Sequence, residues 1–111
     1  MLKWLNNGLW VRNNQKIKFI PYDSITHVLF CDGVSEIRIG EQLVGKIHVP
    51  LAVMEKHFPE KSFFRIHRNF IINKACVASF DPAGKYIFCR HGERIPISRR
   101  KRKLFQLFIN N

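Results

Sequence analysis

The stretch Phe63-Phe64-Arg65-Ile66-His67-Arg68-Asn69-Phe70-Ile71-Ile72-Asn73 decides how this chain is read. It sets three cationic or cation-capable side chains, Arg65, His67 and Arg68, among six apolar ones. A desolvated guanidinium is costly unless it is paired, so these charges cannot share a core with the Phe and Ile side chains. The segment therefore reads as one strand whose apolar side anchors a sheet while its end presents His67 and Arg68 outward. A shorter echo, Ile95-Pro96-Ile97-Ser98-Arg99-Arg100, follows further along the chain. What these cations face is the functional question.

Outward from this stretch the pattern is mostly short strands between turn signals. Upstream, Lys16 to Ile20 alternates and stops at Pro21, and Ile25 to Phe30 is a second strand. Asp32-Gly33 is a turn pair leading to Ser35–Ile39, and Gly40-Glu41 leads to Gln42–Val49, which suggests an antiparallel meander. Pro50 to His57 reads as a short helix. Proline is accepted in its first turn, Leu51, Met54 and Phe58 share a face, and Pro59 ends it.

Downstream, Ala75 to Phe80 reads as a buried strand, Asp81–Gly84 as a turn, Lys85–Cys89 as a strand and His91–Glu93 as another turn. Arg94 to Ile97 is the last strand. In the tail, Ser98 is a candidate N-cap, and Leu104, Leu107 and Phe108 fall at helical spacing. The five cations Arg99 to Lys103 oppose the macrodipole at that helix start, and a nearby phosphate would relieve the penalty. The fold expected is mainly β, built of small antiparallel sheets with one short helix and a short C-terminal helix.

A chain of 111 residues, 46% hydrophobic with ten Phe, makes one domain with a real core. Residues 1–15 are set apart as an N-terminal extension and 16–111 as the domain. Trp4, Leu9 and Trp10 in that extension suit an edge strand, packing on the sheet, or attachment to a larger parent. No apolar run approaches the roughly 20 residues of a membrane span, and Met1 to Leu5 is too short for a signal peptide, so a cytoplasmic protein is expected.

The net charge is +11, and it is unevenly placed. Residues 1–60 carry seven basic and six acidic side chains, whereas residues 61–111 carry twelve basic ones against only Asp81 and Glu93. So one-sided a half-chain points to a polyanionic partner, nucleic acid first and an anionic membrane surface second. Cys31, Cys76 and Cys89 each sit among apolar neighbours and read as reduced core thiols. Cys89-Arg90-His91 is too tight for a metal-ligand pair and His27 with Cys31 lacks a mate, so neither metal nor cofactor is expected.

Five scattered histidines raise the idea of a nuclease, but no phosphate loop, nucleophile elbow or paired acids accompany them, and no enzymatic activity is expected. Nucleic-acid binding fits better. Lys and Arg on phosphates supply affinity, and an Arg on a loop can bond a guanine edge through both fork nitrogens. Candidate loops are the hairpin at Asp32–Ser35, His67-Arg68 and Ser98-Arg99-Arg100. Arg65 has two readings, as a ligand contact or as a salt-bridge partner for an acid of the first half. Lys101, Arg102 and Lys103 are equally readable as contacts or as a solvated face. The Phe residues fall in apolar runs rather than on an RNA-stacking platform, which leans the reading towards duplex DNA. The alternative is a basic adaptor for protein or RNA, without duplex readout.

Taken together, the Phe63–Asn73 stretch and Gly92-Glu93-Arg94-Ile95-Pro96-Ile97-Ser98-Arg99-Arg100 resemble the LytTR DNA-binding domain family. Its patterns are F-x-R-x-H-R-S-x-x-V-N and, later, G-x-x-I-P-V-S-R. The similarity runs upstream through Tyr22-Asp23-Ser24-Ile25, the Asp32–Ile39 hairpin and the Pro50–Phe58 helix, covering residues 16 to 104. Asn69 stands where the family has Ser, and Ile72 where it has Val.

The resemblance implies an elongated β domain that sets loops, not a recognition helix, into successive major grooves of promoter direct repeats. The DNA-facing positions carried over are Ser35, His67, Arg68, Arg99 and Arg100. Asn69, Lys101 and Lys103 complete the candidate set. The resemblance also implies the output half of a bacterial response regulator, partnered by a receiver domain or by a small membrane protein. Met1 favours the stand-alone form. In solution the chain is expected to be a monomer or weak dimer.

Overall fold

The computed structural model describes residues 2–110. Its elements run β1 (Leu2–Trp4), β2 (Gly8–Asn13), β3 (Lys16–Pro21), β4 (His27–Cys31), β5 (Val34–Ile39), β6 (Gln42–Ile47), α1 (Leu51–His57), β7 (Phe63–His67), β8 (Phe70–Asn73), β9 (Val77–Phe80), β10 (Tyr86–Cys89), β11 (Arg94–Pro96) and α2 (Arg102–Ile109). The strands form three antiparallel sheets: β1-β2-β3, a central β6-β5-β4-β8-β7, and β11-β10-β9. The expected meander is β4-β5-β6. The molecule is elongated, 44 × 26 × 24 Å.

The stretch from residue 63 to 73 is a hairpin rather than one strand. β7 and β8 pair with His67 opposite Phe70, and the chain reverses through Arg68 and Asn69. Consecutive residues on a strand point to opposite faces, and both strands exploit this. Phe63 and Ile71 enter one core, with Leu9, Val11, Ile20, Val28, Ile37, Leu51 and Met54. Phe64, Ile66 and Ile72 face a second core, with Ile87, Ile95, Ile97 and Phe105. The central sheet is thus covered on one face by the β1-β2-β3 sheet and α1, and on the other by the β11-β10-β9 sheet and α2.

Residues 2–13 form β1 and β2, and Trp4 stacks on His57 at 4.4 Å while lying edge-on to Phe58. In α1 the expected face of Leu51 and Met54, continued by Phe58, is buried. The strand expected from Ala75 starts later, after a 3-10 turn at Lys74–Cys76, and β9 is an edge strand with Ala78 and Ser79 exposed. The C-terminal helix turns a different side inward from the one read off its spacing. Phe105, Phe108 and Ile109 pack against the second core, leaving Leu104 and Leu107 exposed, because Phe64 and Phe80 receive the Phe105 ring. Of the thiols only Cys89 is fully buried. Its pKa is pushed up to about 12 by burial, with Glu93 and Cys76 adding to the effect, so it serves as an uncharged core group. Cys31, expected inside, is exposed at the end of β4.

Candidate nucleic-acid interface

The two motifs meet because the backbone staples them together. The Ser98 N–H donates to the Ile66 carbonyl at 2.9 Å, laying the second motif alongside β7. Behind that contact Phe64 packs on Phe105 and Phe108, with ring centroids 5.5 and 5.0 Å apart, which seats α2 against the same strand. One open groove of about 480 Å³ results. It is lined by Arg65, His67 and Arg68 from the first motif, Ser98, Arg100 and Lys101 from the second, and Glu55 from α1.

The turn at the groove's lip is held from outside. The Asn69 N–H donates to His67 Nδ1 at 3.1 Å, and the Phe30 N–H donates to the Asn69 carbonyl at 2.8 Å. With Nδ1 accepting, the neutral His67 ring carries its proton on Nε2 and offers a donor there. Arg68 is exposed, and its guanidinium has no hydrogen-bond or ion-pair partner among the described residues. Lys101 is half-buried, its Nζ 5.7 Å from the centre of the Phe64 ring. Ser98 takes the N-cap position of a 3-10 turn, Arg99–Lys101, that precedes α2, but its hydroxyl makes no capping bond. Arg99 and Arg100 are both exposed, and of these only Arg100 lines the groove. Asn69 is half-buried beside the groove, and Lys103 is exposed on α2, outside it.

Ser35 does not join this set. It is fully buried, and its hydroxyl donates to the Val49 carbonyl at 2.6 Å, so in this structure it plays a structural part away from the groove. Arg65 takes up the salt-bridge reading, with Nη1 3.7 Å from Glu55 Oε1. Glu55 itself was not legible in advance, because an exposed acid on a short helix carries no mark of what it will face.

The acids decide the electrostatics. Asp81 accepts the Ala83 N–H within its own turn, and Glu93 lies 2.9 Å from His91 and 3.7 Å from His27. Neither carboxylate of the second half reaches the groove. Other arginines there settle on neutral partners: Arg90 donates to the Ala75 carbonyl at 2.9 Å, and Arg94 lies over the Tyr86 ring at 4.5 Å. The groove is left with an excess of cationic donors, suited to anionic oxygens or to the acceptor edge of a base. Among the described residues no three His, Cys, Asp or Glu side chains converge as a metal-ligand set, and no helix is long and apolar enough to cross a membrane.

Comparison with known proteins gives consistent matches. The LytTr DNA-binding domain family matches residues 15–110. The sensory transduction protein LytT of Bacillus anthracis is 28% identical over 89 residues, and that of Bacillus cereus is 26% identical over 88. Each match covers 77% of this chain but only 35% of the LytT protein. A solved LytTr DNA-binding domain from Bacillus cereus superposes with a TM-score of 0.82 at 20% identity, covering 95% of this chain and 98% of that one.

Proposed function

Because the chain belongs to the LytTR DNA-binding domain family, we propose that it is the DNA-reading part of a bacterial transcriptional regulator, and that it reads promoter duplex with the two loops bounding the groove. The observation that carries this reading is the convergence of Arg68, Arg100 and Lys101 on one open groove that neither acid of the second half reaches. In this reading Arg100 and Lys101, with Arg99 and Lys103 further out, take phosphates and release counterions. Arg68, at the tip of a two-residue turn with an unpartnered fork, bonds a base edge in the major groove. The His67 Nε2–H, the Asn69 amide and the Ser98 hydroxyl add neutral hydrogen bonds. Direct repeats would be occupied by successive copies, each a monomer or weak dimer.

The regulator on this reading is cytoplasmic and non-enzymatic. Its control comes from a receiver domain or a small membrane partner, in keeping with the response-regulator setting of the family. The chain spans only about a third of the length of the LytT proteins it matches, so that control belongs to the larger assembly.

The test is selection of bound sequences from a random duplex library, followed by titration of the selected duplex against single-stranded competitor. Arg68→Ala is expected to cost roughly 1–3 kcal/mol of specific binding without loss of fold. A folded variant binding with wild-type affinity would remove Arg68 from the assignment. Equal competition by single strands would favour the adaptor or RNA alternative.

A further inference from the structure

Arg65 lines the groove, but its guanidinium is engaged by two other groove-lining residues. Its Nη2 donates to the Arg68 carbonyl at 2.9 Å, and its Nη1 is turned to Glu55. The Arg68–Asn69 turn contains no glycine, and neither residue has a positive φ, so no special backbone conformation pins it. Three of its polar groups are fixed instead by neighbours: the Arg68 carbonyl by Arg65, the Asn69 N–H by His67 and the Asn69 carbonyl by Phe30. A side chain can discriminate base edges only if its own backbone is held to a fraction of an ångström. A guanidinium presents donors in a rigid fork and can bond two acceptors in different directions at once, which the single ammonium of lysine does not reproduce.

Resting on the DNA-reading role above, we propose that Arg65 is a positioning residue for sequence readout. It holds the Arg68 carbonyl, Glu55 holds it, and the pair sets Arg68 towards the base edges. Arg65 itself takes no phosphate, because its Nη2 is bonded to the Arg68 carbonyl and the Glu55 carboxylate, 3.7 Å from Nη1, repels an approaching anion.

The experiment measures affinity for the selected duplex and for an unrelated duplex over a range of salt, using wild type, Arg65→Ala, Arg65→Lys, Arg68→Ala, the Arg65→Ala/Arg68→Ala double variant and Glu55→Gln. Arg65→Ala is expected to weaken the selected duplex about tenfold, the size of one charge-assisted hydrogen bond. It should leave the unrelated duplex and the salt slope unchanged. Arg65→Lys should not restore the loss, and the double variant should bind no more weakly than Arg68→Ala alone. A salt slope lower by about one unit, with equal loss on both duplexes, would make Arg65 a phosphate ligand and overturn the proposal. Additive losses in the double variant would overturn it too. Should Arg65→Ala not fold, Glu55→Gln decides. Weaker binding to the selected duplex at unchanged salt slope supports the proposal. Unchanged binding, or tighter binding to every duplex with a steeper slope, overturns it. If Arg68→Ala is itself without effect, the underlying DNA-reading assignment fails, whereas an inert Arg65→Ala beside a weakened Arg68→Ala refutes only the positioning role.

Discussion

The two ends of the central sheet carry the same residue types and use them in opposite ways. Where β4 begins, His27 is 2% exposed, Arg38 bonds the Glu36 carboxylate and the Glu41 carbonyl, and Glu93 is shared by two histidines. Where β4 ends, beside the β7–β8 turn, Arg68 and Arg100 find no carboxylate, and the single one in the groove is turned to Arg65. One end engages its charges with internal partners. The other leaves them unpaired, which adds self-repulsion to the folded state and, on the proposed function, keeps them for a ligand. Substitutions should therefore separate by end: the first should change stability and the second should change binding.

The largest effect expected comes from His27. Burial holds its pKa down at about 4 from 6.5, with His91 and Arg38 adding to the depression and Glu93 opposing it. Well above pH 6.5 the ring is neutral folded or unfolded and contributes no pH dependence. Between 6.5 and about 4 the unfolded chain binds a proton that the folded one refuses, so stability falls as pH falls, by about 3 kcal/mol at the lower end. Denaturant titrations should show this extra acid loss in wild type and not in His27→Gln, while Arg68→Ala keeps the wild-type slope. Parallel pH profiles for wild type and His27→Gln would break the comparison at its stabilising end.

Ser35→Ala probes the boundary between the ends, since Ser35 lies near the groove end but is built like the other. Removing its hydroxyl takes a donor from the half-buried Val49 carbonyl and should cost about 0.5–1.5 kcal/mol of stability. The affinity of the folded variant for DNA should not change. A drop in affinity at full stability would return Ser35 to the contact surface.

That residue also shows where sequence reading stops. Ser35 alternates with Ile37 and so shares its face, and the pattern itself directs it inward. Its polarity and the family resemblance drew it outward. The Asp32-Gly33 turn was legible because its two residues hold φ at 53° and 78°, which few other pairs accept. The Arg68–Asn69 turn was not, because it is shaped by Arg65, His67 and a strand that passes through Phe30, and no local composition marks it. In α2 two apolar sets overlap, Leu104-Leu107-Phe108 and Phe105-Phe108-Ile109, and only the rings of Phe64 and Phe80 select the second. The cationic half-chain and its two motifs were plain in the sequence. That the motifs share a groove follows from long-range contacts, the hydrogen bond from Ser98 to Ile66 and the shared core of Ile66, Ile95, Ile97 and Phe105.

The smallest effect expected distinguishes two lysines that the sequence treats alike. Lys101 lines the groove with its ammonium steadied over Phe64, whereas Lys103 extends from α2 beyond it. A phosphate held in the groove releases counterions through Lys101, so Lys101→Ala should lower the slope of log affinity against log salt by about 0.9 for duplex DNA. The loss should be similar on selected and unrelated duplexes, because a phosphate contact carries no sequence information. Lys103→Ala should move the slope by less than about half of that. If the two lysines shift it equally, the phosphate path continues along α2, and the binding end of the sheet is wider than the groove. If neither does, Lys101 is held by its aromatic contact alone and the phosphates are taken by Arg99 and Arg100.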